Sequence, residues 1–237
     1  MSVYEKSYRL LSSDVDAQRR LRLSRLFTFL QEASIAHTTA LGMGREKTLD
    51  RGLLWIVTLQ QVKVDRLPVY DEDVKLLSWP GETMHLYFPR YYRMEDREGR
   101  TLLTGSALWA LMDRENRKLV FPEDHGVHID GERGERPLGL PAVPKPAQGE
   151  ERDVFTVPYS YVDLNGHMNN TRYLDLSEDR MPADLRQRAL REIRAEFSGE
   201  AKLGEAVTLT AQRQGNGFLL SGDRGRKLFR LNLFYED

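Results

Sequence analysis

The chain has 237 residues, which is enough for one large domain or for two domains of about 120 residues each. A net charge of −1 gives no basic field for nucleic acid, and a hydrophobic content of 40% is enough to form a core. The absence of cysteine excludes disulfides, thiolate metal sites and a cysteine nucleophile, and it fits a reducing compartment.

The first half of the chain has the pattern of one helix followed by a sheet. It opens without an apolar signal segment, and no run approaches the ~18 apolar residues of a membrane span, so a cytoplasmic protein is expected. Apolar residues at three- and four-residue steps predict a helix over 24–41, with Ser24 as N-cap and Gly42 and Gly44 as its stop. The predicted strands, where the period is two, are 4–11, 53–66, 73–79, 84–95 and 101–113. This order favours an α+β fold in which an antiparallel sheet wraps around the helix.

Residues 122–152 are a poor candidate for core, because they contain five prolines, five glycines and many charges. We therefore predict an N-terminal domain over residues 1–135, a linker over 136–152 and a C-terminal domain over 153–237. The last part of the linker is expected to be extended by its prolines.

One part of this segment has the composition of a metal cluster, with the residues Asp124, His125, His128 and Asp130. Histidine and carboxylate side chains are common metal ligands. The stretch is rich in turn residues, however, and it offers no further ligand. We therefore expect neither a metal nor another cofactor.

The second half of the chain repeats the order of the first. It begins with a predicted strand at 159–162 and a polar stretch at 163–170. A short helix follows at 171–181, which Pro182 would interrupt. The remaining predicted strands are 190–200, 205–213, 217–222 and 226–235.

Two alignments give the register of this internal duplication. Aligning Asp14 with Asp163 gives an offset of 163 − 14 = 149, and aligning Val62 with Ala195 gives 195 − 62 = 133. A shorter helix in copy two would account for the difference. The second offset places Glu200 where copy one has Leu67 (200 − 133). We therefore predict that copy two reacts, whereas copy one binds an apolar group or only packs.

The polar stretch carries three candidate catalytic residues, Asp163, Asn165 and His167. They alternate, so an extended chain would point all three to one face. His167 carries an imidazole, which can donate a hydrogen bond or move a proton. Asn165 can donate to a carbonyl oxygen while it stays neutral. Asp163 has two equally supported interpretations: it orients one of the other two, or it forms a helix cap or an Asx-turn.

Three further residues complete the candidate site. Asn169 and Asn170 are expected mainly to cap the next helix and brace the loop. Glu200 ends an apolar strand, where a glutamate is usually a solvated surface residue. Its alignment with an apolar residue of copy one is what distinguishes it.

The pattern Asp163-x-Asn165-x-His167-x-Asn169-Asn170-x-x-Tyr173 resembles the acyl-acyl carrier protein thioesterases. The resemblance covers nearly the whole chain and includes L-Q-E-A at 30–33 in the long first helix. It implies a tandem (double) hot-dog fold, in which each unit is a long antiparallel sheet wrapped around a helix. The acyl chain would bind in the N-terminal unit, and the C-terminal unit would carry the catalytic residues.

The resemblance also implies roles for single residues. Asn165 and His167 would hold the thioester carbonyl, Asp163 would brace them, and Glu200 would activate water. The same pattern makes Asn169, Asn170 and Tyr173 candidates for substrate binding. Ala201 occupies the position where plant relatives carry a cysteine after the glutamate. A cysteine nucleophile is therefore absent from this position, and the resemblance implies that water attacks the thioester.

The implied reaction is hydrolysis of a fatty acyl thioester of acyl carrier protein to free fatty acid and carrier thiol. Glu200 would act as general base, and Asn165 with backbone N–H groups of the short helix would stabilise the oxyanion. The alternatives are an acyl-CoA thioesterase, a hot-dog dehydratase or hydratase, and a non-catalytic acyl-binding protein.

An acidic carrier protein would dock on a basic surface. Arg19, Arg20 and Arg22, at the start of the long helix, are the candidates, although a solvated helix face is the simpler explanation. The sequence is also compatible with a homodimer.

Overall fold

The fold is built on one antiparallel sheet. The structure is a computed structural model that describes residues 3–131, 136–149 and 152–237. Among these residues its strands are β1 (Tyr4–Arg9), β2 (Leu53–Val64), β3 (Asp73–Pro80), β4 (Tyr87–Glu95), β5 (Thr101–Asp113), β6 (Arg152–Thr156), β7 (Leu190–Phe197), β8 (Ala206–Gln214), β9 (Gly217–Asp223) and β10 (Lys227–Tyr235). Their order across the sheet is β1-β3-β4-β5-β2-β7-β10-β9-β8-β6. The helices are α1 (Leu23–Ala40), α2 (Arg172–Arg180) and α3 (Ala183–Arg186). The predicted α+β layout is thus confirmed.

Helix α1 packs against β1, β3 and α2 and buries its apolar stripe, including Leu26, Leu30 and Ala33. It ends as predicted, with Gly42 in the left-handed region at φ 77°. The prediction of Ser24 as N-cap is wrong, because the N-cap is Arg22 and Ser24 lies buried inside the helix. The start of α1 has no side-chain cap hydrogen bond, and Glu178 of α2 lies near the N–H of Leu23. Packing against α2 therefore accompanies this helix start in place of a local cap.

Glu178 predicts a pH dependence of stability. Burial raises the pKa of its carboxyl to about 7, so the folded state holds the proton that the unfolded state releases near pH 4.5. Stability should therefore fall as pH rises from 4.5 to 7. We expect Glu178→Gln, which keeps the size and polarity of the side chain, to raise the free energy of unfolding at pH 8 by up to about 3 kcal/mol. Most of that gain should be absent at pH 5. Urea denaturation at both pH values measures it, and an equal gain at both would contradict the role of ionisation.

The two halves of the sheet correspond strand by strand. Outward from the centre, copy one runs β2, β5, β4, β3, β1 and copy two runs β7, β10, β9, β8, β6. At the centre Gln61 pairs with Arg194, and 194 − 61 = 133 is the offset predicted for these strands. Gln61 therefore pairs with its own counterpart, as a two-fold relation between the copies requires. The internal duplication is confirmed.

The offset of 149 for the polar stretch is wrong by two residues. Copy one pairs Val15 with Leu21, and copy two pairs Val162 with Met168, so the offset is 162 − 15 = 168 − 21 = 147. The similar letters D-V-D and D-L-N suggested the longer offset, whereas backbone pairing sets the real one. The counterparts of Asp163, Asn165 and His167 are therefore Asp16, Gln18 and Arg20.

Two element assignments also need correction. Residues 159–162 are not a strand, because Tyr159–Tyr161 form one turn of 3-10 helix after Pro158. The edge strand β6 was not predicted, since its short segment R-D-V-F-T is charged and lies next to the linker. The other predicted strands and both predicted helices are confirmed to within a few residues, and Pro182 separates α2 from α3. In the part of the chain that is described, no helix is both long and apolar enough to cross a membrane.

Residues 141–148, the linker strap, lie across the sheet. Its backbone N–H groups donate to side chains of four strands: Ala142 to Gln61 of β2, Lys145 to Asn232 of β10, Ala147 to Ser221 of β9 and Gln148 to Gln212 of β8. Polar sheet residues such as Asn232, which is 1% exposed, are thereby buried with hydrogen bonds. The predicted N- and C-terminal domains share one sheet, and their predicted boundary at residue 135 lies outside the described residues.

Candidate active site

The polar stretch forms a tight hairpin. The Asp163 N–H donates to the His167 carbonyl at 2.9 Å, and the Gly166 N–H donates to the Asp163 carbonyl at 3.0 Å. Gly166, at φ 79°, provides the left-handed residue that the turn requires. The expectation that three side chains converge because they alternate on an extended strand is therefore wrong. The turn places Asn165 at the tip, apart from His167.

Asp163 shapes this turn. Its Oδ1 accepts the Asn165 N–H at 2.8 Å, which is an Asx-turn. Asp16 Oδ1 accepts the Gln18 N–H at the same distance in copy one (16 + 147 = 163). The bond is thus present in a hairpin that lacks both the histidine and the glutamate. The Asx-turn interpretation of Asp163 accounts for the residue, and a direct catalytic role stays a prediction.

Backbone pairing brings His167 beside Glu200. The Met168 N–H donates to the Ala201 carbonyl at 2.7 Å, and His167 pairs with Lys202. Gly199 allows β10 to pack closely here, because a Cβ there would lie 2.8 Å from Leu228 Cδ2 and 3.0 Å from the Lys227 carbonyl oxygen. His167 Nε2 then lies 3.3 Å from Glu200 Oε2. The repeat comparison suggested that the side chains of His167 and Glu200 lie together, and this contact is present in the structure.

Arg117 is a third member of this cluster, and sequence reasoning missed it. Its guanidinium forms an ion pair with Glu200 Oε1, and its Nη2 lies 3.5 Å from His167 Nδ1. Arginine can only donate, so Nδ1 of His167 accepts, and the neutral ring carries its proton on Nε2, facing Glu200. The Glu200 carboxylate is therefore held by two donors, one at each of its oxygens.

Arg117 comes from copy one, in the turn that follows β5. The Asp113 carboxylate shapes this turn by accepting the N–H groups of Glu115 and Asn116, each at 2.9 Å. Nothing local marks Arg117 within D-R-E-N-R-K. Only the position of this turn beside copy two, which follows from the central pairing of β2 with β7, could have suggested it.

We expect Arg117→Ala to lower kcat/KM for the thioester substrate proposed below by about 10-fold, because Glu200 and His167 lose the donor that positions them. Exposed Lys118 in the same turn provides the control, and Lys118→Ala should leave the rate unchanged. Adding guanidinium ion at millimolar concentration should restore part of the lost rate in Arg117→Ala only. Unchanged kcat/KM in folded Arg117→Ala would remove Arg117 from the site.

Asn165 lines an apolar cavity of about 250 Å³ that lies mainly between α1 and the strands of copy one. On the other side it lines a basic mouth of about 540 Å³. Glu200, Asn170 and Arg117 line a third cavity of about 600 Å³. The basic mouth is lined by Arg45, Arg114 and Arg117 together with Leu49, Asp50, Gly52, Leu54, Leu164 and Asn165. The candidate residues therefore stand where an apolar cavity, a carboxylate and a basic mouth meet.

The two asparagines after His167 differ in their surroundings. Asn169 Oδ1 accepts from both the backbone N–H and the hydroxyl of Thr171, at 2.9 Å each, and its own N–H donates to Tyr161. Asn169 therefore braces the start of α2, as the sequence suggested. Asn170 lines the cavity of Glu200 and is the better placed of the two for substrate.

Tyr173 lies in the core. It is 1% exposed and its ring stacks on Phe229 at 4.2 Å. Burial, and then the nearby charge of Glu200, raise the pKa of its hydroxyl. Packing behind Glu200 explains this residue, and its predicted contact with substrate stays a prediction.

The expected oxyanion donors from the start of the short helix are already bonded. The N–H groups of Arg172 and Tyr173 donate to the carbonyls of Asn169 and Asn170, and that of Leu174 donates to Thr171. These three groups of α2 are therefore not available to a ligand, and a role for other backbone N–H groups of this stretch stays a prediction. Asn165 remains the candidate donor.

The three arginines of the predicted docking cluster, Arg19, Arg20 and Arg22, differ in their contacts. Arg20 is half-buried: it pairs with Asp16 at 3.2 Å and donates to the carbonyls of Arg186 and Arg188. As the counterpart of His167 it is part of the copy-one hairpin and is not free for an acidic partner. Arg19 and Arg22 are exposed, and their docking role stays a prediction.

Comparison with known proteins covers both halves of the chain. The family model of the acyl-ACP thioesterase N-terminal domain matches residues 1–126, and that of the C-terminal domain matches residues 145–226. The palmitoyl-acyl carrier protein thioesterase of Arabidopsis thaliana, a chloroplastic protein, is 23% identical over 201 residues, which are 78% of this chain and 49% of the relative. The dodecanoyl-[acyl-carrier-protein] hydrolase of Cinnamomum camphora is 25% identical over 76% of this chain and 51% of its own length. The chain thus spans about half the length of these curated relatives.

Solved structures confirm the tandem hot-dog fold. An acyl-ACP thioesterase from Bacteroides thetaiotaomicron superposes with a TM-score of 0.89 at 20% identity, covering 99% of this chain and 98% of that one. The 12:0-ACP thioesterase from Umbellularia californica superposes with a TM-score of 0.81 at 18% identity over 99% and 97% of the two chains.

Proposed function

Because the chain belongs to the acyl-ACP thioesterase family, we propose that it hydrolyses fatty acyl thioesters of an acyl carrier protein to free fatty acid and carrier thiol. The observation that carries the proposal is the Glu200 carboxylate, which Arg117 and His167 hold. Arg117 also lines the basic mouth, and Asn165 lines both that mouth and the apolar cavity. A carboxylate fixed between two donors is suited to take a proton from water.

In the proposed reaction water attacks the thioester carbonyl and Glu200 takes its proton. The Asn165 amide donates to the oxygen as negative charge develops there. The C–S bond then breaks, and the proton passes from Glu200 to the leaving sulfur. His167 could donate to the carbonyl, as the resemblance implies, only if its Nε2–H left Glu200. In the arrangement described, His167 orients the carboxylate.

The carrier is proposed to approach the basic mouth. Arg114 is exposed there, and Arg45 pairs with Asp50, which is itself exposed and is its one ion-pair partner among the described residues. Phosphate groups and acidic side chains suit such a surface. This mouth is adjacent to Asn165, whereas Arg19 and Arg22 belong to the opposite hairpin. The absence of cysteine supports a reducing compartment, and the homodimer stays a prediction.

The test measures free thiol released from acyl-carrier protein and acyl-CoA over a ladder of chain lengths. We expect thiol release from acyl-carrier protein, with a lower KM for the carrier than for CoA. The reverse preference would make the protein an acyl-CoA thioesterase. Water loss from a 3-hydroxyacyl thioester without thiol would mark a dehydratase. Acyl binding with no turnover would mark a binding protein, and either of these last two results would overturn the hydrolase.

A further inference from the structure

The apolar cavity contains one buried charge, Arg90. This residue lies on β4 and is 3% exposed, yet it lines the same cavity as Asn165. Its strand neighbour Tyr92 faces the same side and hydrogen-bonds Ser34 of α1 at 2.7 Å. The apolar walls around these polar groups include Leu53, Leu54, Trp55, Phe88, Trp109 and Ile129.

Every described contact of the Arg90 guanidinium is neutral. Nη1 lies 3.0 Å from His37 Nδ1 and 3.4 Å from the Ser78 hydroxyl, and Nη2 lies 3.0 Å from the Thr38 hydroxyl. Because arginine only donates, His37 accepts at Nδ1 and adds no charge. Among the described residues no carboxylate pairs with this guanidinium, and its Nε–H donates to none of them.

An uncompensated buried charge is costly, and buried charges in proteins are normally paired. Buried Asp14 follows this rule and pairs with the partly exposed Arg25 of α1 at 2.8 Å. Burial lowers the pKa of Arg90 to about 10, so the group is still charged at neutral pH. A cavity intended only for hydrocarbon would be better served by an apolar side chain at this position.

We propose that Arg90 binds a carboxylate at the distal end of the acyl chain, so that the cavity accepts half-thioesters of dicarboxylic acids. The proposal rests on the proposed hydrolysis for its substrate, and it adds the chemistry of the acyl tail. The thioester lies at Asn165, the methylene chain lies along the apolar walls, and the terminal carboxylate pairs with Arg90. The ligand thus provides the missing counter-charge.

The test compares pairs of CoA thioesters that differ only in a terminal carboxylate: hexanoyl with adipoyl, octanoyl with suberoyl, and decanoyl with sebacoyl. In at least one pair we expect kcat/KM to be at least about 10-fold higher for the carboxylate-ended member. Arg90→Met, which keeps the volume and removes the charge, should lower that value about 100-fold, a much larger loss than for the unsubstituted member. Arg90→Lys should retain part of the preference.

The proposal would be overturned if the unsubstituted chain were preferred in every pair, or if Arg90→Met affected both members equally. The proposed hydrolysis of thioesters would be unaffected by either result. A second measurement needs neither turnover nor a variant. Isothermal titration of the unchanged protein should detect adipate, suberate or sebacate, and weaker binding or none for the matching monocarboxylate. If no thioester is hydrolysed, the proposed function fails. The titration with dicarboxylates then decides the role of Arg90, and a lack of diacid binding would overturn that role as well.

Discussion

Glu200→Gln is expected to lower kcat for thioester hydrolysis at least about 100-fold, because the amide keeps the size of the side chain but cannot accept a proton from water. KM should change little, since Glu200 acts on water and not on the acyl chain. Its side chain is about one third exposed, so folding should not depend on it, and the thermal unfolding midpoint should stay close to that of the unchanged protein.

Glu196 provides a matched control for this variant. It is near Glu200, lines the same cavity and pairs with Lys227 at 2.5 Å, but no contact joins it to His167. Glu196→Gln should therefore keep nearly full activity. Activity close to normal in folded Glu200→Gln would exclude Glu200 as the base, and a loss confined to Glu196→Gln would move that role to the neighbour.

Asn165→Ala is expected to lower kcat by about 10²–10³, the usual effect of removing one oxyanion donor. The side chain is exposed at the tip of the hairpin, so its truncation should leave the fold intact. Asn165→Asp should be at least as slow, because it replaces the donor with a negative charge beside the developing oxyanion.

The internal duplication supplies the control for this prediction. Gln18 occupies the same place in the copy-one hairpin (18 + 147 = 165), and Gln18→Ala should leave kcat unchanged. Stopped-flow or steady-state thiol release measures both variants. Equal losses in the two would indicate that the hairpins act on stability and would argue against Asn165 as an oxyanion donor.

Most of the fold could be predicted from the sequence, because the hydrophobic patterns of its helices and strands extend over long segments. Helix α1 shows its apolar stripe over five turns, and strands β2 to β5 alternate between clear turn signals. The failures occurred where tertiary contacts override local preference. Helix α1 begins one residue before Ser24 with no side-chain cap, and β6 is a short, charged edge strand that becomes visible only through its pairing with β8.

The candidate site was predictable in part, through the comparison of the two copies. Aligning Glu200 with Leu67 identified a residue that looks unremarkable by itself, and the structure places it 3.3 Å from His167. Arg117 could not be found in this way, because its relation to the site comes from the packing of one copy against the other. Asp163 could not be interpreted from type alone, since the same carboxylate suits an Asx-turn and a catalytic brace.

The two halves are joined in one polypeptide, through the central pairing of Gln61 with Arg194 and through the linker strap. This covalent connection lets the sequences of the two halves differ. In an assembly of two identical chains every substitution appears twice, so a reactive glutamate and an apolar leucine could never occupy equivalent places. Joined in one polypeptide, the halves can be altered separately: one hairpin keeps His167 and the other carries Arg20. The molecule therefore offers one candidate reaction centre for two structural units, and a tight-binding inhibitor should titrate it at one equivalent per chain.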